Sequence, residues 1–232
     1  MTSRLVLIPG LAADATMWRA QLAALADLNP RVADVHMRHD SIEAMAQALL
    51  REEPGDLVLC GASMGGMVAM EAARQTPQRV RGLALLGTSA QPESDEMRSL
   101  REAAIVLFEQ GRMAEVIEPN VGLAFHPDHA ADARLVGDYL EFVYRAGAGQ
   151  LVRQNRAIMA RPDAREHLGA LRCPVLVMCG QEDQLTPPEL AQEIASLVPG
   201  AQLLMVPRCG HMLTMEQPAA VNAALRAWLA RL

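Results

Sequence analysis

The sequence predicts an α/β fold: a mostly parallel sheet of about six strands flanked by helices, with a helical cap inserted near the middle. Three observations carry this. Short apolar runs recur with helix-type stretches between them, the pattern of βαβ units around a buried parallel sheet. The segment Gly61-Ala62-Ser63-Met64-Gly65 stands between one such run and an unbroken helical stretch. From about residue 91 to residue 165 the strand-like runs stop and only helical spacing remains. A length of 232 residues and 51% hydrophobic content suit a single domain with one sizeable core. The expected organisation is a core built from residues 1–90 and 166–232, interrupted by a helical cap over 91–165.

Taken in order, Arg4 to Ile8 is a buried strand closed by Pro9-Gly10-Leu11. Asp14 can cap a helix whose apolar positions Trp18, Leu22 and Leu25 fall at helical spacing. Asn29-Pro30 makes a turn, and Arg31 to Met37 reads as a second strand. Ser41 opens the next helix, which Pro54-Gly55 ends. Asp56 to Cys60 is the strand before the Ser63 turn, Met67 to Arg74 its helix, and Val80 to Leu86 a further strand. The insertion shows Met97, Leu100, Ala104 and Leu107, then Leu135, Tyr139 and Phe142, at helical spacing. It also holds all the phenylalanines and tyrosines: Phe108, Phe125, Phe142, Tyr139 and Tyr144. These aromatics either form a core for the cap or line a pocket facing Ser63; the pattern does not divide them. Strands resume at Pro174 to Cys179 and Gln202 to Val206, with a helix from Pro187-Pro188 to Val198 between them. A last helix from about Pro218 puts Val221, Leu225, Trp228 and Leu229 on one face.

Charge and composition exclude several roles. A net charge of −6 without a basic patch argues against nucleic acid. No apolar run approaches the length of a membrane span. Arg4 followed by Leu5 to Ala13 faintly resembles a secretory signal, but Pro9-Gly10 interrupts it and a first strand with its turn is the better reading. Cys60, Cys173, Cys179 and Cys209 lie in or beside strand-like runs without metal-type pairing, as reduced thiols in a cytoplasmic protein would.

The chemistry centres on Ser63. Strand, tight turn and helix are the context in which G-x-S-x-G holds a serine above the sheet edge in a strained backbone conformation. A serine hydroxyl needs a base, and the base an orienting acceptor. Asp183 and His211 each stand just past the carboxyl end of a strand, and in a parallel sheet all such ends share one rim. Gly61-Ala62-Ser63-Met64-Gly65, the Gly180-Gln181-Glu182-Asp183-Gln184-Leu185-Thr186-Pro187 segment and Gly210-His211 together resemble the α/β-hydrolase superfamily over nearly the whole chain. The resemblance implies a cofactor-independent serine hydrolase acting on a small-molecule carboxylic ester or related acyl compound. In it Ser63, Asp183 and His211 form a triad, and the backbone N–H groups of Leu11 and Met64 make the oxyanion hole. The same fold serves C–C hydrolases, thioesterases, lactonases, lyases and perhydrolases, and some ligand receptors. Many relatives carry His-Gly where this chain has Pro9-Gly10. The N-terminal antiparallel hairpin common in the family is not expected, so about six strands rather than eight.

Other candidates carry weaker readings. Glu182 could be proposed as the acid in place of Asp183, which matches the family position. His36 and His39 with Asp40, and His126 with His129, lack a third well-placed ligand; solvated histidines are expected there, and neither a metal nor a cofactor. Among Met64, Met67 and Met70, core filler is the default, and only Met64 has a positional reason to line the site. For Arg153, Gln154 and Arg161 a solvated face is the default and anchoring of substrate the alternative.

Overall fold

The computed structural model describes residues 3–232, so the first two positions of the predicted core segment lie outside the described residues. Six strands form one sheet: β1 (Arg4–Ile8), β2 (Arg31–Val32), β3 (Leu57–Ala62), β4 (Val80–Leu86), β5 (Val175–Gly180) and β6 (Gln202–Val206). Their order is β2-β1-β3-β4-β5-β6 and every pairing is parallel. The continuous apolar runs follow from this layering, because both faces of β1, β3, β4 and β5 are covered, whereas β6 at the edge leaves Leu203 and Leu204 exposed. Successive residues alternate between two cores: Val6, Ile8, Leu57 and Leu59 pack on one face, Leu5, Leu7, Val58 and Cys60 on the other.

The chain turns from β1 to β2 on one side and then crosses back to β3 on the other. The strand order therefore reverses between β1 and β3, the place where open α/β sheets form a crevice at their carboxyl ends. Between β4 and β5 the chain is helical, with its longest helices at Asp95–Glu109, Ala133–Ala146 and Ala148–Met159. The first of these packs on the last. No described helix is long and apolar enough to cross a membrane.

Two predicted elements are corrected. The second strand is only Arg31–Val32, and Val35–Met37 is a 3-10 turn. Val35 and His36 are consecutive and both 1% exposed. The turn sets His36 Nε2 against the Ala13 carbonyl at 2.7 Å and lets the His36 carbonyl accept from Gln150 and Gln154, bonds that stand in place of a sheet ladder. The helix expected after Asp14 is broken into a 3-10 turn, Ala15–Trp18, and a short helix, Arg19–Ala24. Asp14 does cap the first of these, accepting from the Thr16 N–H.

Candidate active site

Ser63 follows β3 and precedes the helix Met64–Gln75. Its backbone lies at φ 52°, ψ −121°, a left-handed region that side chains rarely adopt. Such a conformation persists only where its surroundings over-determine it. Here the Ser63 N–H donates to the Leu86 carbonyl at 2.8 Å, and the Ser63 carbonyl accepts from Thr88 Oγ1 at 2.7 Å and the Gly66 N–H at 2.9 Å. Gly61 and Gly65 are required by close approach. A Cβ on Gly61 would meet the backbone of Gly65, and one on Gly65 would meet the backbone carbonyls of Ile8 and Pro9.

Asp183 is 3% exposed in the turn after β5. Its Oδ1 accepts from the N–H groups of Leu185 and Thr186, each at 2.9 Å. Its Oδ2 accepts from Thr186 Oγ1 at 2.9 Å and faces His211 Nδ1 at 2.9 Å. This explains the residue spacing of the motif: an aspartate whose side chain caps its own turn, with a threonine three residues on to supply a hydroxyl. Burial alone would raise the Asp183 carboxyl. The charge and hydrogen bond of His211 and the donors of Thr186 outweigh it and hold the group below its ordinary value. Because the carboxylate accepts from Nδ1, the imidazole hydrogen is assigned there and Nε2 keeps its lone pair. Gly87, just past β4 at φ 49°, leaves the room this pair needs: a Cβ there would lie 3.2 Å from Asp183 Oδ2 and 3.5 Å from His211 Nδ1.

Ser63 and His211 line one cavity of about 290 Å³. No hydrogen bond joins Ser63 Oγ to His211 among the described residues; such contacts are often long until substrate is bound. Leu11 lines the same cavity. The Met64 N–H heads its helix, where no intrahelical partner exists. Neither it nor the Leu11 N–H donates to a backbone carbonyl among the described residues. The loop carrying Leu11 is fastened by its neighbours: the Ala12 N–H donates to Gln154 Oε1 at 2.7 Å, and the Ala13 carbonyl meets His36 Nε2 at 2.7 Å.

Much of the remaining wall comes from the insertion and is mostly apolar. Phe108, Tyr139 and Phe142 line the cavity. Phe125 is buried behind them, edge-on to Tyr139 at 5.4 Å between centroids. Tyr144 faces outward and donates to Glu118. Several expectations change here. Met67, not Met64, reaches the cavity, while Met64 is fully buried in the core. Gln154 is 0% exposed and Arg161 is 9% exposed, so both are structural rather than solvated, whereas Arg153 is exposed. His36 is buried; burial lowers its pKa, and its Nε2–H donates to the Ala13 carbonyl. Glu182 accepts from the Cys209 N–H at 2.9 Å, bracing the strand end before His211 rather than touching the imidazole.

One residue escaped the sequence reading. The Glu216 side chain is 0% exposed. Its Oε1 accepts from the Met212 N–H at 3.1 Å. Its Oε2 accepts from the N–H groups of Gly210 at 3.1 Å and His126 at 2.7 Å, and meets His129 Nδ1 at 2.9 Å. It thereby grips both neighbours of His211 and ties them to the insertion. A glutamate ending a short helix among apolar residues was the available signal.

The profile of the Alpha/beta hydrolase family matches residues 5–224. The chain belongs to that family. This alpha/beta hydrolase is 30% identical over 201 residues to a pimeloyl-(acyl-carrier protein) methyl ester esterase of Aromatoleum aromaticum, spanning 78% of this chain and 77% of that one. Its fold superposes on a thermophilic esterase from Thermogutta terrifontis with a TM-score of 0.90 and 29% identity, covering 100% of this chain and 90% of the other. The enol-lactonase of Burkholderia xenovorans LB400 shares the fold at a TM-score of 0.87 and 21% identity, over 99% and 92% of the two chains. The protein is an enzyme of the hydrolase class with esterase relatives.

Proposed function

We propose that this hydrolase cleaves a small-molecule carboxylic ester, or a related acyl compound, through an acyl-enzyme on Ser63. The observation that carries the reading is the Asp183–His211 pair opening onto the cavity that also holds the strained Ser63. Ser63 Oγ attacks the carbonyl carbon while its proton passes to His211 Nε2. The imidazolium that forms is stabilised by Asp183, already ionised and held by its own turn. The oxyanion sits between the N–H groups of Leu11 and Met64, donors of a kind typically worth about 3 kcal/mol each in the transition state. Collapse expels the alcohol, which takes the proton from His211. Water then attacks the acyl-serine with His211 as base and releases the acid.

Residues 91–165 act as the cap over this site. The two ends of the excursion are tied by the Ala164 N–H donating to the Ala90 carbonyl at 2.9 Å, which supports that boundary. The apolar lining from Phe108, Tyr139 and Phe142 suits an apolar acyl or alcohol chain. Four free thiols fit a reducing, cytoplasmic setting. The test is turnover of chromogenic esters of short to medium acyl chain by wild type and Ser63→Ala. Wild type is expected to turn over many times, and Ser63→Ala to lose at least about 10⁴-fold in kcat. Undiminished activity in a folded Ser63→Ala protein would sink the mechanism.

A further inference from the structure

The helix Asp95–Glu109 turns one stripe to the cavity: Met97, Leu100, Arg101, Ala104 and Phe108. This is the spacing of a single helical face. A cation in its middle is out of keeping with the apolar positions around it, and its side chain is 22% exposed. Arg101 Nε–H donates to Glu93 Oε2 at 2.6 Å and Nη1–H to Asn155 Oδ1 at 2.7 Å. Two of its five N–H groups are thus used, and the other three have no partner among the described residues.

Glu93 does not need Arg101 for its own sake. The same Oε2 already meets Arg161 Nη1 at 2.9 Å in a buried pair, with side chains 7% and 6% exposed. Two guanidinium groups therefore share one carboxylate. Burial would raise Glu93, but Arg101 and Arg161 together hold it below its ordinary value, so the cluster carries a surplus positive charge. Arg98 lies close enough to add to that field at Arg161. This surplus stands in a protein whose net charge is −6. Glu93 and Asn155 hold the guanidinium in place before any ligand arrives, so little side-chain freedom is lost on binding. A planar fork with free N–H groups suits a carboxylate or phosphate.

We infer that Arg101 is the anchor for an anionic oxygen group, carboxylate or phosphate, carried by the substrate away from its scissile ester. This rests on the serine-hydrolase reading of the same cavity, and it narrows the substrate from any apolar ester to one charged at its far end. The apolar wall takes the intervening chain, and Arg101 takes its charged terminus.

The experiment separates binding from turnover. Ser63→Ala protein is titrated calorimetrically with three esters of equal chain length: the methyl ester of an unbranched monocarboxylic acid, the monomethyl ester of the matching dicarboxylic acid, and an analogue ending in a phosphate monoester. At least one anionic ester is expected to bind about tenfold or more tighter than the neutral one, with the gap narrowing as salt is added. Whichever anion gains more identifies the source of the charge. In Ser63→Ala/R101Q the gap is expected to close. Equal binding of charged and neutral esters by Ser63→Ala overturns the inference, and so does a gap that survives R101Q. Ester turnover that persists without Ser63 would overturn the hydrolase reading while leaving this binding result standing.

Discussion

Replacing Glu216 by Gln tests how the proposed base is held. The carboxylate accepts from the backbone N–H groups of His126, Gly210 and Met212 and meets His129 Nδ1, with no solvent access. A glutamine of the same shape has one acceptor oxygen. Turned toward His126, His129 and Gly210, it keeps three bonds and sets its NH₂ against the Met212 N–H, donor to donor. The three remaining bonds lose their charge assistance, which roughly halves their strength. One buried N–H is orphaned at a cost of about 1–3 kcal/mol. The expected loss is about 2–4 kcal/mol, a fall of about 5–15 °C in Tm for a chain of this size. Glu216 does not line the cavity, so kcat is expected to fall about tenfold or more while KM holds. Denaturant unfolding and steady-state kinetics on one preparation provide both readouts. A loss below about 1 kcal/mol together with an unchanged kcat would refute the claim that this carboxylate positions His211.

Other outcomes follow from the same geometry. Asp183→Asn replaces an acceptor facing His211 Nδ1 with a group that can present a donor, so kcat is expected to drop by about 10³–10⁴. The folded Asp183 is a stronger acid than the unfolded one. It therefore contributes stability above the unfolded value of about 4 that is lost as pH falls through the lower folded value, and the stability of Asp183→Asn should depend less on pH below about 4. Gly87→Ala adds a Cβ at positive φ, 3.2 Å from Asp183 Oδ2; a stability loss of about 1–2 kcal/mol with a reduced kcat is expected, and an unaltered kcat would show that the pair tolerates the crowding. Burial pushes the Cys179 thiol up to about 12 and raises Cys60, Cys173 and Cys209 as well. Under native conditions at pH 8 only half-buried Cys173 should react with a thiol reagent, and all four should react in denaturant.

The framework of this protein was legible because its signals are local and repeated. A strand buried on both faces must be apolar throughout, so β1, β3, β4 and β5 announced themselves within a residue or two, and the half-exposed edge strand β6 still showed as a short apolar run. Parallel topology then does something no local pattern does: it brings the ends of β3 and β5 and the segment after β6 to one rim. Ser63, Asp183 and His211 could thus be grouped from positions far apart in the chain. The edge was harder to read. Arg31 to Met37 has strand-like composition, but an edge strand gains little from extension, and the bonds His36 makes in its turn, with Ala13, Gln150 and Gln154, outweighed it.

The insertion was misread for a different reason. Polar residues on an amphipathic helix are ordinarily the solvated side, which placed Gln154 and Arg161 outside. The helix Ala148–Met159 is covered on both sides, by the helix Asp95–Glu109 and by the loop after β1, so part of its polar face meets protein instead of water. There the polar atoms were not idle. Gln154 Oε1 takes the Ala12 N–H and its Nε2 donates to the His36 carbonyl, while Gln150 Nε2 donates to the same carbonyl at 2.8 Å. These bonds join the insertion to the loop that presents the Leu11 N–H, the proposed oxyanion donor. Removing the Gln154 side chain should therefore act on catalysis without touching substrate. Gln154→Ala orphans the buried Ala12 N–H, costing about 1–3 kcal/mol, and frees the loop to relax. If the loop is the oxyanion support, kcat should fall more than KM rises. A Gln154→Ala enzyme with wild-type kcat would mean that the loop holds its shape without the cap, and that Leu11 owes its position to β1 and His36 alone.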